Sequence, residues 1–179
     1  YNNSFHPPFP KNLKTICLGL GCFWGAEKFF WSVDGVWTTA VGYAGGNHEN
    51  PNYEVVCEGS TNHAEVVLVV YDPQIVNLEK ILKLFWEIHD PTQLNRQGND
   101  FGTQYRSIVL VNNDEELEVS QQLMKTIQEK FNKKAFGKIV TEISMLKKFY
   151  YAESYHQQYL KKNPNGYCNL KGLDISLQN

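Results

Sequence analysis

The first 35 residues constrain the fold most, because their apolar pattern changes from that of a strand to that of a helix across a glycine turn. Residues 13–20 form an apolar, partly β-branched run, which predicts a buried strand. After Gly21 the apolar residues recur at helical spacing until Asp34 and Gly35 end the pattern. The stretch therefore predicts a strand, a tight turn and a helix that begins at Cys22.

The rest of the chain continues this alternation. Further strands are predicted at residues 36–43, 64–71, 106–111 and 139–145, and further helices at residues 77–88, 113–131 and 152–160. Residues 1–12 should form an extended arm, residues 92–104 a structureless loop, and residues 163–179 an irregular, mobile tail. The order β-α-β-β-α-β predicts an α+β fold, a ferredoxin-like two-layer sandwich with a mixed, mainly antiparallel sheet. We expect one domain over residues 1–179.

The composition argues against several classes of partner. Seventeen basic and nineteen acidic residues give a formal net charge of −2 without a dense basic run, so neither nucleic acid nor a membrane surface is an expected partner. The four cysteines form neither a Cys-x-x-Cys pair nor a zinc pattern, which predicts free thiols and no metal site. We expect a cytoplasmic protein, although a chain that begins with Tyr1 leaves room for a removed targeting segment.

Cys22 is the first candidate for chemistry. It follows a glycine turn at the start of a helix, where free backbone N–H groups favour a thiolate and lower the cysteine pKa. The alternative is a small residue that fills the turn. Phe23 and Trp24 come directly after Cys22, and two large rings at a tight turn indicate that they line a pocket.

Three other functions of this turn can be compared by residue type. A dinucleotide site needs close backbone approach, which Phe23 and Trp24 would obstruct. A phosphatase loop needs an arginine shortly after the cysteine, where Glu27 and Lys28 stand. A cysteine protease or acyltransferase needs a histidine base and stays open, since the chain offers His48, His63 and His156. An aromatic-lined module that binds peptides without reaction also stays open.

Four further residues could contribute to such a site. Glu65 is the one acid in an apolar strand, where burial would raise its pKa and make it a proton donor, unless it faces solvent. Tyr53 and Tyr105 could donate phenolic hydrogen bonds or simply pack. Asp100 lies in a Gly-rich segment where it could also just form a turn.

The remaining cysteines and one histidine are harder to assign. Cys168 lies in a turn-rich tail, from which its thiol could swing toward another thiol, or it could be incidental. Cys17 is predicted to be core, and Cys57 stays ambiguous. His63 could tune Glu65 from the same strand face, whereas His156 is expected to belong to a packed polar-aromatic patch.

Five motifs follow one another between residues 13 and 168. They are GCFWGAE at residues 21–27, VGYAGG at 41–46, NHAEVV at 62–67, GND and GTQYRS within 98–107, and AESYHQQYL at 152–160. Together they resemble the A-type peptide methionine sulfoxide reductases. The resemblance implies reduction of the S epimer of methionine sulfoxide, free or in proteins.

The resemblance also implies a role for each candidate in the first step. Cys22 would attack the sulfoxide sulfur while Glu65 protonates its oxygen, which requires a lowered pKa for the thiol and a raised pKa for the acid. Tyr53 and Tyr105 would hold the oxygen, and Asp100 would support substrate or water. Phe23 and Trp24 would receive the S-methyl group.

For the second step, the resemblance implies that Cys168 resolves the sulfenic acid as a disulfide. An external dithiol, expected to be thioredoxin, would then reduce it, without an organic cofactor. We expect a monomer. The sequence departs from the family pattern at Asn62, where the family usually has glycine, and it lacks a further cysteine after Cys168, which predicts a cycle of two cysteines.

Overall fold

The computed structural model describes residues 3–178 and places helices against a six-stranded sheet. The strands are β1 (Lys14–Gly19), β2 (Val36–Ala44), β3 (Ala64–Tyr71), β4 (Arg96–Gln97), β5 (Asp100–Phe101), β6 (Ile108–Val111), β7 (Glu142–Met145) and β8 (Tyr150–Tyr151). The helices are α1 (Phe23–Trp31), α2 (Tyr53–Cys57), α3 (Leu78–Glu87), α4 (Asp114–Lys133) and α5 (Tyr159–Lys162), with 3-10 turns at Thr103–Tyr105 and Ser154–His156.

The sheet has the strand order β7-β6-β1-β3-β2-β8. Its four central strands, β6, β1, β3 and β2, are antiparallel to one another, and α1 and α3 connect them in the predicted β-α-β-β-α-β succession. The expected ferredoxin-like sandwich is therefore confirmed. At the edges, β7 runs parallel to β6 and β8 runs antiparallel to β2, which makes the sheet mixed, as predicted.

The core lies on both faces of the sheet, because every residue of the central strand β3 is buried. One face packs against α1, α3 and α4, which contribute Phe30, Phe85 and Ile127 to the largest apolar cluster. The other face is covered by chain segments without helices, which contribute Phe9 and Phe149. Burial on both faces explains why β3 is apolar at almost every position instead of alternating.

The predicted arm covers that second face. Residues 3–12 contain neither helix nor strand, and the first two residues of the predicted arm lie outside the described chain. The hydroxyl of Tyr151 donates to the carbonyl of Phe5 at 2.7 Å, and the rings of Phe9 and Trp37 lie 6.2 Å apart. The arm is thus held by contacts at several points.

The prediction of one helix over residues 152–160 is wrong. The chain makes a 3-10 turn there, passes through Gln158 in a left-handed conformation with φ 51°, and only then enters α5. The side-chain amide of Gln157 bonds both the N–H and the carbonyl of Val41 at 2.8 Å, and the Glu27 carboxylate accepts the N–H of Gln158 at 2.7 Å. These tertiary hydrogen bonds outweigh the local helical preference.

Two other irregular segments are more ordered than predicted. The loop over residues 92–104 contains the β4–β5 hairpin and a 3-10 turn. The tail after α5 has no helix or strand, as predicted, yet Ile175 and Leu177 are buried in the core. The N–H of Leu177 also donates to Glu87 at 2.6 Å, so the end of the tail is anchored.

Two structural features of residues 3–178 bear on membranes and metals. No helix there is long and apolar enough to cross a membrane. Nor do those residues bring together three or more His, Cys, Asp or Glu side chains that could hold a metal ion.

Candidate active site

The candidate site lies where β1 ends and β3 begins. These strands are antiparallel, with Leu18 opposite Val67, so the turn after β1 meets the first residues of β3 at one edge of the sheet. Gly21 makes that turn with φ +102°, a conformation that side chains disfavour, and Cys22 follows as the N-cap of α1. The predicted strand, turn and helix are thereby confirmed, and they carry Cys22 to the side chain of Glu65.

Glu65 points inward. It is 2% exposed, and its Oε1 accepts the backbone N–H of Phe23 at 3.1 Å. Burial raises the pKa of Glu65 to about 8, the charge of Asp100 adds to the rise, and the Phe23 N–H opposes it. The carboxyl group is therefore mostly protonated at neutral pH.

The predicted lowering of the Cys22 pKa is wrong for the protein without substrate. The N–H groups of Trp24 and Gly25 do act on the thiol as a helix start should, and they lower its pKa. Burial raises that pKa by more, however, and the nearby Glu65 raises it further. The helix start is a local feature that sequence reveals, whereas burial depends on the whole fold. Both the thiol and the acid are therefore uncharged at neutral pH.

The two groups share a cavity of about 130 Å³. Seven of the predicted site residues line it, together with Tyr167: Cys22, Phe23, Trp24, Tyr53, Glu65, Asp100 and Tyr105. Cavities near 150 Å³ hold a benzene molecule, so this one suits the end of a methionine sulfoxide side chain and is too small for a dinucleotide. A larger cleft of about 460 Å³ lies between Gly45 and Lys148 and contains no cysteine.

An aromatic wall closes one side of the cavity. Trp24 stacks on Tyr159 at 3.8 Å between ring centroids, and its Nε1 donates to Nδ1 of His156 at 3.0 Å. Phe23 is buried, with its ring 5.0 Å from that of His156 and 5.8 Å from that of Tyr43. The packed polar-aromatic patch expected around His156 is present, but sequence reasoning did not connect it with the cavity.

Tyr53 and Tyr105 are half-buried at the cavity, and burial raises the pKa of each phenol above its ordinary value. Both hydroxyls therefore stay protonated and can donate hydrogen bonds. Glu153 accepts the backbone N–H of Tyr53 at 3.1 Å, which fixes the start of α2. The Tyr53 hydroxyl also shares a hydrogen bond with the thiol of Cys57, so this ambiguous cysteine lies beside the cavity, on an exposed face of α2.

Asp100 and the tail meet at the cavity mouth. The hydroxyl of Tyr167 lies 3.2 Å from both carboxylate oxygens of Asp100. Tyr167 was missed by sequence reasoning, although its position next to Cys168 could have indicated it. Cys168 is exposed and does not line the cavity, and Cys17 is fully buried in β1, as expected for a core cysteine.

The contacts of the histidines argue against a histidine that acts as a base for Cys22. Nδ1 of His63 accepts the N–H of Gly46 at 3.0 Å and its Nε2 contacts the carbonyl of His48 at 2.6 Å, so His63 braces a loop and does not contact Glu65. His156 is engaged by Trp24. No histidine of the described chain lines the cavity, which argues against the hydrolase and acyltransferase alternatives.

The backbone conformation explains why asparagine can stand at residue 62, where the family usually has glycine. The φ of Asn62 is +59°, in the left-handed region where glycine is the usual residue. Asparagine is among the few other residues that adopt this conformation readily. The substitution therefore keeps the turn and leaves Glu65 in place.

The raised pKa of Glu65 should make stability depend on pH. Folding shifts this pKa from 4.5 to about 8, so the contribution of Glu65 to the free energy of unfolding should fall as pH rises between these values. The loss should reach several kcal/mol, since one pKa unit is ~1.4 kcal/mol. Glu65→Gln should remove this contribution, so the difference in unfolding free energy between wild type and variant should change between pH 5 and pH 8, whereas the exposed Glu129→Gln on α4 should follow the wild type. Urea unfolding at pH 5 and pH 8 checks this, and parallel behaviour of all three proteins would contradict it.

Comparisons with known proteins agree with the geometry. The family model for peptide methionine sulfoxide reductase matches residues 14–176. Peptide methionine sulfoxide reductase MsrA of Saccharophagus degradans is 56% identical over 169 residues, which cover 94% of this chain and 79% of that protein. MsrA of Brucella suis biovar 1 is 53% identical over 176 residues, which cover 97% and 81%.

Solved structures give the same result. Methionine sulfoxide reductase A of Corynebacterium diphtheriae has a TM-score of 0.86 and 44% identity, covering 89% of this chain and 79% of that one. Reduced Mxr1 of Saccharomyces cerevisiae has a TM-score of 0.83 and 40% identity, covering 89% and 91%. Mxr1 in complex with Trx2 has a TM-score of 0.61 and 27% identity, covering 87% and 90%.

The cavity combines a buried acid with a thiol, and the relatives match over most of the chain. Together these findings define a thiol-dependent oxidoreductase. The chain belongs to the peptide methionine sulfoxide reductases. Its relatives are of the A type, which confirms the resemblance seen in the five motifs. The reaction is the thiol-dependent reduction of peptide methionine (S)-sulfoxide.

Proposed function

We propose that Cys22 is the nucleophile and Glu65 the proton donor for reduction of (S)-methionine sulfoxide, free or in proteins. One observation carries this proposal: the protonated carboxyl group of Glu65 and the thiol of Cys22 line the same small cavity. A sulfoxide sulfur becomes a good electrophile only when its oxygen is protonated or strongly hydrogen-bonded, so the acid and the thiol must act on one substrate together. We assign this activity to one domain over residues 1–179.

Because Cys22 and Glu65 are both uncharged before the reaction, every proton that moves in the first step can be accounted for. Glu65 gives its proton to the sulfoxide oxygen while the Cys22 thiol passes its own proton to the Glu65 carboxylate. The Cys22 sulfur bonds the substrate sulfur, and the oxygen then moves to Cys22 as a hydroxyl group. The substrate leaves as the thioether, Cys22 is oxidised to the sulfenic acid, and Glu65 ends as the acid it was.

The other cavity residues fit binding roles. Tyr53 and Tyr105 present protonated hydroxyls that can donate to the sulfoxide oxygen as negative charge develops on it. The rings of Phe23 and Trp24 offer an apolar surface for the S-methyl group. Asp100 supports substrate or water at the mouth of the cavity.

In the second step, the Cys168 thiol attacks the Cys22 sulfenic acid, releases water and forms a disulfide. Thioredoxin then reduces that disulfide by exchange. The structure of Mxr1 in complex with Trx2 supports thioredoxin as the reductant. The cycle needs no organic cofactor or metal, and we assign it to a monomer without nucleic-acid or membrane partners. Four free thiols fit a reducing compartment such as the cytoplasm.

A racemic substrate tests the function. We expect incubation with a racemic methionine sulfoxide derivative and dithiothreitol to consume the S epimer and leave the R epimer, as read by chiral chromatography. Consumption of both epimers, or of neither, would contradict the proposal. Peptide binding without consumption of reductant would favour the peptide-binding module, and hydrolysis of an acyl substrate would favour a cysteine hydrolase.

A further inference from the structure

The C-terminal tail contacts the first turn of α1 at Gly25, a residue without a side chain. Gly25 is buried in α1, and a Cβ atom placed on it would lie 2.8 Å from Sγ of Cys168 and 3.5 Å from Cβ of Leu170. Side-chain atoms do not tolerate the first of these distances. The sulfur of Cys168 can therefore occupy this position only because residue 25 is glycine.

This position is close to Cys22 along the helix. Gly25 follows Cys22 by three residues, and residues at that spacing share one face of a helix, with Cβ atoms about 5–6 Å apart. A sulfur that rests on Gly25 is thus about one helical turn from the nucleophile. The Cα atoms of a disulfide lie about 4.4–6.8 Å apart, so the Cys168 sulfur has to be held near this end of α1 for the bond to form.

Hydrogen bonds on both sides of Cys168 hold the tail in this place. Tyr167 bonds the carboxylate of Asp100, and Nδ2 of Asn169 donates to the carbonyl of Gln97 at 3.0 Å. Both partners belong to the β4–β5 hairpin, so two hydrogen bonds from one hairpin flank the cysteine. Although Cys168 is exposed, hydrogen bonds hold the residues on either side of it, so its sulfur has a defined position on α1.

We propose that Gly25 is a positioning residue for the second step. Because Gly25 has no side chain, it leaves a space on α1, called the seat below, that holds the Cys168 thiol in place to react with the Cys22 sulfenic acid. This inference rests on the proposed function, in which Cys168 resolves the sulfenic acid. The backbone N–H of Gly25 acts on the Cys22 thiol, but alanine at this position keeps that N–H. The cavity lining does not include Gly25, so its missing side chain concerns the second step. The tail is thus docked before the reaction.

Gly25→Ala tests the seat. Alanine favours a helix more than glycine does, so this variant should fold. Its Cβ should displace the Cys168 sulfur and slow disulfide formation by on the order of tenfold to a hundredfold, because small misplacements of reacting groups cost that much. Methionine formation in a single turnover should be unchanged. The sulfenic acid should persist and become trappable by dimedone, while turnover falls with thioredoxin and continues with dithiothreitol, which reduces the sulfenic acid directly.

Asn169→Ala tests the same position of Cys168 by a change in the tail instead of in α1. It removes the hydrogen bond to Gln97 and leaves α1 intact, so disulfide formation should again slow while the first step does not. A matched control is Lys171→Ala, a change to an exposed tail side chain that should leave both rates as they are. Thiol titration after one turnover measures disulfide formation in each protein.

Two outcomes separate the inference from the function on which it rests. Unchanged disulfide formation in Gly25→Ala and Asn169→Ala, while Cys168→Ser blocks it, would overturn the seat alone. Thioredoxin-dependent turnover that survives Cys168→Ser would instead overturn the role of Cys168, and with it the second step. A first step slowed as much as the second in Gly25→Ala would also contradict the seat, because it would indicate a general distortion of α1.

Discussion

Cys22→Ser should form no methionine in a single turnover with a methyl sulfoxide substrate. A serine hydroxyl at the N-cap of α1 keeps the turn, but it cannot be oxidised as the Cys22 sulfur is. We expect the rate to fall by on the order of 10⁴-fold or more, as when other enzymes lose their nucleophile. Liquid chromatography of the methionine product after reaction with excess enzyme measures this directly.

Cys57→Ser is the matched control for the loss of a thiol near the cavity. Cys57 is exposed on α2, and a serine there keeps a hydrogen-bond partner for Tyr53. This variant should keep most of the single-turnover rate. Retained methionine formation in Cys22→Ser, or its loss in Cys57→Ser alone, would remove Cys22 from the mechanism.

Cys168→Ser should separate the two halves of the cycle. The cavity does not include Cys168, so the first step should proceed and give about one equivalent of methionine per enzyme. No disulfide can then form, and thioredoxin-driven turnover should stop. Dithiothreitol should restore slow turnover, because a small dithiol reaches the sulfenic acid without the help of Cys168.

Full thioredoxin-driven turnover by Cys168→Ser would show that another cysteine resolves the sulfenic acid. Cys17 is 0% exposed within β1 and cannot approach Cys22 without unfolding the strand. Cys57 would then be the candidate, since it lies beside Tyr53 at the cavity. The Cys57→Ser/Cys168→Ser double variant would identify it by losing the turnover that the single variant keeps.

The fold could be predicted largely from local pattern. The apolar run before Gly21, the capping residues Asn77 and Asn113, and the continuous apolar stretch of β3 each determine an element within a short window, and the structure contains all of them. The segment over residues 152–160 failed because its conformation depends on hydrogen bonds to distant residues. Glu27 and Val41, which hold it, are more than a hundred positions away.

The site shows the same division between local and tertiary causes. Seven of the eight residues that line the cavity could be selected from sequence, because they carry reactive groups or large rings in recognisable motifs, whereas Tyr167 was missed. The pKa of Cys22 could not, because the helix start is local while burial and the proximity of Glu65 come from folding. The seat of Cys168 on Gly25 also depends on tertiary contact, since nothing near Gly25 in the sequence indicates the tail.

The pH dependence of the first step tests most directly whether a protonated Glu65 drives the reaction. Burial keeps the pKa of Cys22 above its ordinary value, so thiol ionisation should not mask the titration of Glu65. In the wild-type protein the single-turnover rate should be level at neutral pH and fall about tenfold per pH unit above pH 8, the pKa of Glu65 being about 8. Glu65→Gln should be slower at pH 7 by on the order of 10²–10⁴-fold and lack the fall. An unchanged rate in Glu65→Gln, or the same fall in both proteins, would contradict the account.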